Sequence, residues 1–486
     1  MKNLISFTFL ILFNFILITS GHAEVKLPAI VSSNMVLQRN TTITLWGWAN
    51  PNEKITISAS WFNETITLNT DKNGNWKTEV KTTNSKAVQS IKITSNTSNI
   101  NLENILFGEV WLCSGQSNMF QPLKGYPGQP TFEGNKAILK SKNPNLRLFS
   151  VDKIGSKIPL KDLKGYTPWQ EASPNTVNEF SAVAYFFGEQ LQEILDVPVG
   201  LIHTSWGGSI IEAWMSNSVL SNYQTIDIKN KDAVNKGHRT STALFNSMIY
   251  PLANYKIKGA LWYQGESNRQ EPKAYEKLFP AMVKDWRSLW NIGDFPFYYV
   301  QIAPYIYKGN NTSDFNTYKN AAFIRESQLK CLDLIPNSGI AITMDIGEKY
   351  FIHPPKKKEV ANRLLFNALN QTYGYKTIDY TSPIFESQHI KDRSLILKFK
   401  NAEMGLFTYK NLEGFEIAGK DKIFYPANAK IVNRKHIEVS SNNVPKPMAV
   451  RYAWNNWTTG TLFGANLIPA SSFRTDNWED AKRFLD

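Results

Sequence analysis

The stretch Phe107-Gly108-Glu109-Val110-Trp111-Leu112-Cys113-Ser114-Gly115-Gln116-Ser117-Asn118-Met119 decides how the rest of the chain is read. Residues 105–113 form an apolar run rich in β-branched and aromatic side chains, the pattern of a short buried strand. The run ends in Ser-Gly-Gln-Ser-Asn, a small polar turn with one glycine. Taken alone, this is an ordinary strand-to-helix connection in which Ser and Asn cap the helix. It is equally the place where a sheet can present a serine nucleophile. The choice rests on which other loops share its edge of the sheet.

Working outward, 486 residues exceed what one simple core needs and point to about three domains. A hydrophobic content of 42% and 14 tryptophans are those of a folded protein rather than a disordered one. At the N-terminus a short positive region, Met1-Lys2-Asn3, precedes an apolar stretch over 4–18 and the small-residue site Gly21-His22-Ala23. This reads as a signal peptide spanning 1–23, cut after Ala23, so the protein is expected to be secreted or periplasmic. A membrane anchor is the weaker reading, because the apolar run is short and ends at small residues. No other run approaches the ~20 apolar residues of a membrane span. The formal net charge is +13, or +12 once Lys2 is removed. Apart from Lys356-Lys357-Lys358 the basic residues are scattered and no nucleic-acid motif is present, so nucleic acid is not an expected partner. The only cysteines, Cys113 and Cys331, are too few for a disulfide scaffold. Cys113, inside the apolar run, reads as a buried free thiol.

Residues 24–104 carry short runs rich in Thr, Ile, Val and Trp, broken by Asn50-Pro51-Asn52-Glu53 and Asp71-Lys72-Asn73-Gly74-Asn75. Alternation with regular turn signals predicts a small β-sandwich. Over 105–375 the pattern changes to strands alternating with helices: strands near 197–204, 257–263, 297–303 and 339–344, helices near 180–195, 274–290 and 316–330. That alternation predicts a three-layer α/β domain with a parallel sheet. Strand-like runs return over 376–486 as a C-terminal β region.

Four polar clusters each follow a predicted strand: Ser114-Gly115-Gln116-Ser117-Asn118, Thr204-Ser205-Trp206-Gly207-Gly208-Ser209, Tyr263-Gln264-Gly265-Glu266-Ser267-Asn268, and residues 345–353. In a parallel sheet they converge on the carboxyl edge, where ligands bind. Together they hold a nucleophile, amide donors for an oxyanion and a base, which is the equipment of acyl transfer. The six histidines narrow the choice of base. His22 leaves with the signal peptide, His203 sits within a strand, His238 in a basic stretch, and His389 and His436 in the β region. His353, in Phe351-Ile352-His353-Pro354-Pro355, precedes a helix striped by Val360, Leu364 and Ala368. No H-E-x-x-H or other metal-spaced histidine pair exists, so neither a metal nor another cofactor is expected.

These blocks, with Gly200-Leu201-Ile202, Ile211-Glu212-Ala213-Trp214, Arg451-Tyr452-Ala453-Trp454 and Ser472-Phe473-Arg474-Thr475-Asp476, resemble the sialate O-acetylesterases, members of the SGNH-type serine hydrolases. The resemblance covers most of the mature chain. It implies Ser117 as nucleophile and His353 as base. It also implies an oxyanion hole from the Ser117 N–H, a glycine of the Gly207-Gly208 pair and the Gln264 amide, with Asn268 as the alternative amide. The substrate it implies is an O-acetylated sialic acid. Trp206, Trp214, Glu266 and Arg325 are further candidates for the pocket, with core packing the competing role for the tryptophans. One feature departs from the pattern. SGNH enzymes carry an aspartate two or three residues before the histidine, where this chain has Tyr350 and Phe351. Asp345 and Glu348 are the nearest carboxylates, and a backbone carbonyl is the other possible support. Three alternatives remain beside this reading. They are a deacetylase of acetylxylan or another polysaccharide, a secreted glycan-binding protein without catalysis, and a Cys113 thiol enzyme, which the burial of Cys113 disfavours.

Overall fold

The computed structural model describes residues 24–223, 234–307 and 315–484. The expected signal peptide lies outside the described residues. The frame is a sheet of β1 (Asn99–Gly115), β2 (Asn143–Val151), β3 (Tyr166–Ala172), β4 (Val199–Ser205), β5 (Gly259–Tyr263), β6 (Phe297–Val300) and β7 (Ser338–Ala341). Their spatial order is β7-β6-β5-β1-β4-β2-β3. Every pair is parallel except β2 with the edge strand β3. The chain is thus of the α/β class.

Parallel strands buried on both faces should be apolar throughout, and β4, β5, β6 and β7 contain only buried residues. The period of two sends neighbours to opposite cores. Trp262, Phe297 and Tyr299 join one cluster with Leu278, Phe279 and Trp286 of the helix α3 (Pro272–Trp290). Leu261, Tyr263 and Tyr298 face the other, shared with α2 (Ala182–Leu195) and α5 (Lys357–Asn367). Each large apolar side chain so buried contributes about 1.5–3 kcal/mol. Helix α4 (Ala322–Leu334) packs beside α3.

Strand β1 is the central member and runs through the boundary expected at 104/105 without a break. Its first half pairs antiparallel with Gln89–Thr94, while residues 109–115 pair with β4 and residues 111–115 with β5. C-terminal to the parallel sheet, residues 384–440 supply a four-stranded antiparallel sheet, and a five-stranded sheet gathers strands between Phe415 and Arg483. Both cysteines are buried and free, and burial raises the Cys113 thiol far above its ordinary value, which removes it as a nucleophile. No helix among the described residues is long and apolar enough to cross a membrane.

Candidate active site

The three adjacent strand ends are knitted together by backbone bonds. The Gln116 N–H donates to Tyr263 O at 2.9 Å and the Trp206 N–H to Gly115 O at 3.0 Å. Gly115 makes this closeness possible: at φ +140° a Cβ there would stand 2.2 Å from Tyr263 O. The turn then opens the four-residue helix α1 (Ser117–Phe120) with Ser117 at its first position. A helix start leaves its leading N–H groups outside the intrahelical ladder, so the Ser117 amide is free to serve a ligand. Behind it, Ser181 caps α2 by accepting from Ala184 N and donates its own hydroxyl to Met119 O at 2.6 Å. The short helix is therefore fastened to a long one.

Gly207 lies against the Ser117 turn, where a Cβ would stand 3.2 Å from Ser117 Cβ. Any other residue type there would have to push the serine side chain back by a few tenths of an ångström. From the other side, Tyr126 O–H donates to Ser117 O at 3.2 Å, and the Tyr126 ring packs edge-on against the His353 ring at 5.1 Å between centroids. His353 sits on the loop before α5, which starts two residues beyond Pro354-Pro355. Asn118 ties that loop to the serine turn, donating to Ile352 O at 3.1 Å.

Two expectations about supporting groups are corrected. Asp345 does not meet the histidine: both its oxygens bind Arg363, at 2.8 and 2.6 Å, because the strand-to-loop geometry directs it toward α5. The His353 Nδ1 partner is Gln129 Oε1 at 2.7 Å. An amide oxygen only accepts, so this contact makes Nδ1 the N–H and leaves Nε2 with its lone pair. Gln264 is fully buried, and its Nε2 donates to Ser209 O at 3.1 Å and Asn268 Oδ1 at 2.7 Å. Both amide hydrogens are thereby engaged in bracing the loops. Asn268 is engaged in the same way with Glu212.

Of the other pocket candidates, Trp214 is core, donating to Ser209 Oγ and stacking edge-on against Trp262. Arg325 is fully buried and binds Ser472 Oγ and Asn455 O, joining α4 to the C-terminal region. Trp206 is half-buried beside His238. Glu266 is buried and accepts from Asn118 Nδ2 at 2.5 Å, with burial raising its carboxyl. His203 is a packing residue: its Nε2 contacts Ser205 Oγ at 2.6 Å and burial pushes its imidazole down to about 3. Burial, then the nearby Lys357 cation, push His353 down to about 4, so it is neutral at pH 7. Among the described residues no group of three or more His, Cys, Asp or Glu side chains could hold a metal ion.

The sequence reading missed Tyr126, Gln129, Lys357 and the double role of Asn118. Asn118 and Lys357 stood inside quoted motifs, but their partners lie 148 and 239 residues away. Gln129 sits in a Gly/Pro-rich loop with no pattern to single it out.

The profile of the carbohydrate esterases described as sialic acid-specific acetylesterases matches residues 107–357. The chain belongs to this family. It is an esterase. The human sialate O-acetylesterase is 27% identical over 480 residues, covering 89% of this chain and 88% of its own. The mouse sialate O-acetylesterase is 26% identical, covering 92% and 94%. The crystal structure of a carbohydrate acetylesterase from Xanthomonas citri superposes with a TM-score of 0.85 at 32% identity, covering 93% of this chain and all of that one. The family match spans the turn after β1, the Gly207 loop and the His353 loop, the three segments assembled above.

Proposed function

We propose that the protein is an exported sialate O-acetylesterase that works through an acetyl-serine intermediate on an SGNH-type domain. In this reading residues 24–104 form a β-sandwich, 105–375 the esterase domain and 376–486 a C-terminal β region, with 1–23 a cleaved signal peptide. The observation that carries it is that the Ser117 turn, with Gly207 packed against it, is tied through Asn118 and Tyr126 to the loop of a histidine whose Nδ1 is held by Gln129.

The His353 Nε2 lone pair takes the proton of Ser117 Oγ as the oxygen attacks the acetyl carbonyl. The Ser117 and Gly207 amides receive the oxyanion. His353 then delivers the proton to the departing sugar oxygen, and water releases acetate by the reverse sequence. Gln129 fixes the tautomer but brings no charge to stabilise the imidazolium. It therefore does part of what an aspartate does in a full triad. Ser117→Ala and His353→Ala should each lower kcat by roughly 10⁴-fold or more while circular dichroism and Tm stay at wild-type values. A folded Ser117→Ala enzyme with near wild-type turnover would overturn the assignment.

A second reading, deacetylation of acetylxylan or another polysaccharide, rests on the 32% identity to a Xanthomonas protein described only as a carbohydrate acetylesterase. Comparing kcat/KM on 9-O-acetyl sialic acid and on acetylxylan separates the two. Mass spectrometry of the protein purified from its native host tests cleavage after Ala23.

A further inference from the structure

Lys357 is fully buried, although its neighbours in the basic run, Lys356 and Lys358, are exposed and half-buried. Its Nζ donates to Asn118 Oδ1 at 2.5 Å. The amide of Asn118 is held at its other end too, with Nδ2 donating to Glu266 Oε1 at 2.5 Å and to Ile352 O at 3.1 Å. One asparagine thus joins three loops: its own turn beside Ser117, the loop after β5, and the residue before His353. The groups facing Lys357 are Asn118 and Glu266, the Tyr263 ring with its centroid 5.6 Å from the ammonium, and His353 on its own loop. Lys358 turns away to Glu133.

A hydrophobic side chain of the same length would fill this space at a lower desolvation cost. What the ammonium adds is a directed hydrogen bond. It fixes which way the Asn118 amide points, and hence which end donates to Ile352 O and to Glu266.

We infer that Lys357 is a positioning residue which, through Asn118 and Glu266, locks the Ser117 turn to the His353 loop in the register that proton transfer needs. This rests on the serine–histidine reading above. The hydrogen bond of Lys357 goes to Asn118 and not to the Ser117 or His353 side chain. Its effect falls on geometry, and a misplacement of about 1 Å between reacting groups costs on the order of 10²-fold in rate. Its charge has a second consequence. The cation opposes protonation of His353, and burial holds Lys357 itself down to about 7. Replacing it with a neutral side chain should therefore make the imidazole easier to protonate.

The test compares Lys357→Met with wild type in kcat, KM and the pH dependence of kcat/KM, using an acetylated sugar or 4-nitrophenyl acetate, with His353→Ala as reference. Lys357→Met should lower kcat by about 10²-fold with KM little changed. The acid limb of its profile should move upward by about 1 pH unit. A lysine that merely fills space would lower Tm and leave that limb in place. If Lys357→Met does not fold, the isosteric Glu266→Gln decides, with an expected fall in kcat of about tenfold at unchanged KM. Near wild-type kcat and an unmoved limb in a folded Lys357→Met enzyme, with His353→Ala inactive, would overturn the lock and leave the serine–histidine reading standing. An active His353→Ala enzyme would overturn both.

Discussion

The turn over 115–118 and the loop over 351–357 lie side by side, but their supports differ in kind. The turn is the direct extension of a central strand, and backbone hydrogen bonds to the ends of β4 and β5 set its path. The histidine loop is ten residues beyond the end of β7 and has no sheet under it. It is held by Gln129 and Asn118, by the Phe132 N–H on Pro355 O, and by the Glu133–Lys358 ion pair. Backbone ladders tolerate most side-chain changes. A loop held by single side-chain contacts can lose its place through one substitution. Stability is thus concentrated around the proposed nucleophile, and the vulnerability of function around the proposed base.

The largest expected effect comes from forcing a side chain into the turn. Gly115→Ala adds a Cβ 2.2 Å from Tyr263 O at a backbone angle that L-residues avoid. It should destabilise the protein by about 3–5 kcal/mol, read from the midpoint of urea unfolding. The histidine loop should answer to a gentler change. Gln129→Ala removes the Nδ1 partner and should lower kcat by about 10²-fold with Tm nearly unchanged. Gln129→Glu puts a carboxylate against Nδ1, stabilises the imidazolium and should move the acid limb of kcat/KM upward by about 1–3 pH units.

A smaller effect separates structure from chemistry. Asp345→Asn weakens the charge pairing with the buried Arg363 guanidinium. It should cost about 1–3 kcal/mol in urea unfolding and leave kcat within a few-fold of wild type. A 10³-fold loss of kcat would return Asp345 to the catalytic group.

The smallest effect is in pH. As the proposed base His353 must be neutral, and its imidazole sits near 4, so kcat/KM should hold through pH 5 and fall below about 4. Stability has the same sign. Both His203 and His353 titrate lower in the folded chain than the 6.5 of a free imidazole. Between those values the unfolded chain binds the additional protons. The stability from the neutral rings is therefore complete above pH 6.5 and drains away as pH falls toward 3–4. Denaturant midpoints measured from pH 7 to pH 4 should decline accordingly, and the decline should be shallower in His203→Gln.

The parts of the site legible in sequence are those placed by local pattern. Strand periodicity located β1, and the buried runs located β4, β5 and β7. Parallel connection then obliges their following loops to share an edge, which brings Ser117, Gly207 and the 263–268 loop together. The helix over 180–195 and the stripe Val360, Leu364, Ala368 were legible for the same reason, since a period of 3.6 is written into consecutive residues. The supports of those groups were not. Whether an amide near the edge faces the substrate or braces a loop depends on partners far away in the chain, as with Gln264 on Ser209 and Asn268.

By itself, then, the sequence determined the α/β frame and the sheet edge that the Ser117 turn shares with the Gly207 and 263–268 loops. Only the tertiary structure decided what holds the histidine. It turned Asp345 onto Arg363, brought Gln129 to Nδ1 and buried Lys357 against Asn118. The physical reason is one of range. Periodicity and turn chemistry act over a few residues, whereas these hydrogen bonds join side chains up to 239 positions apart whose meeting is a property of the folded packing.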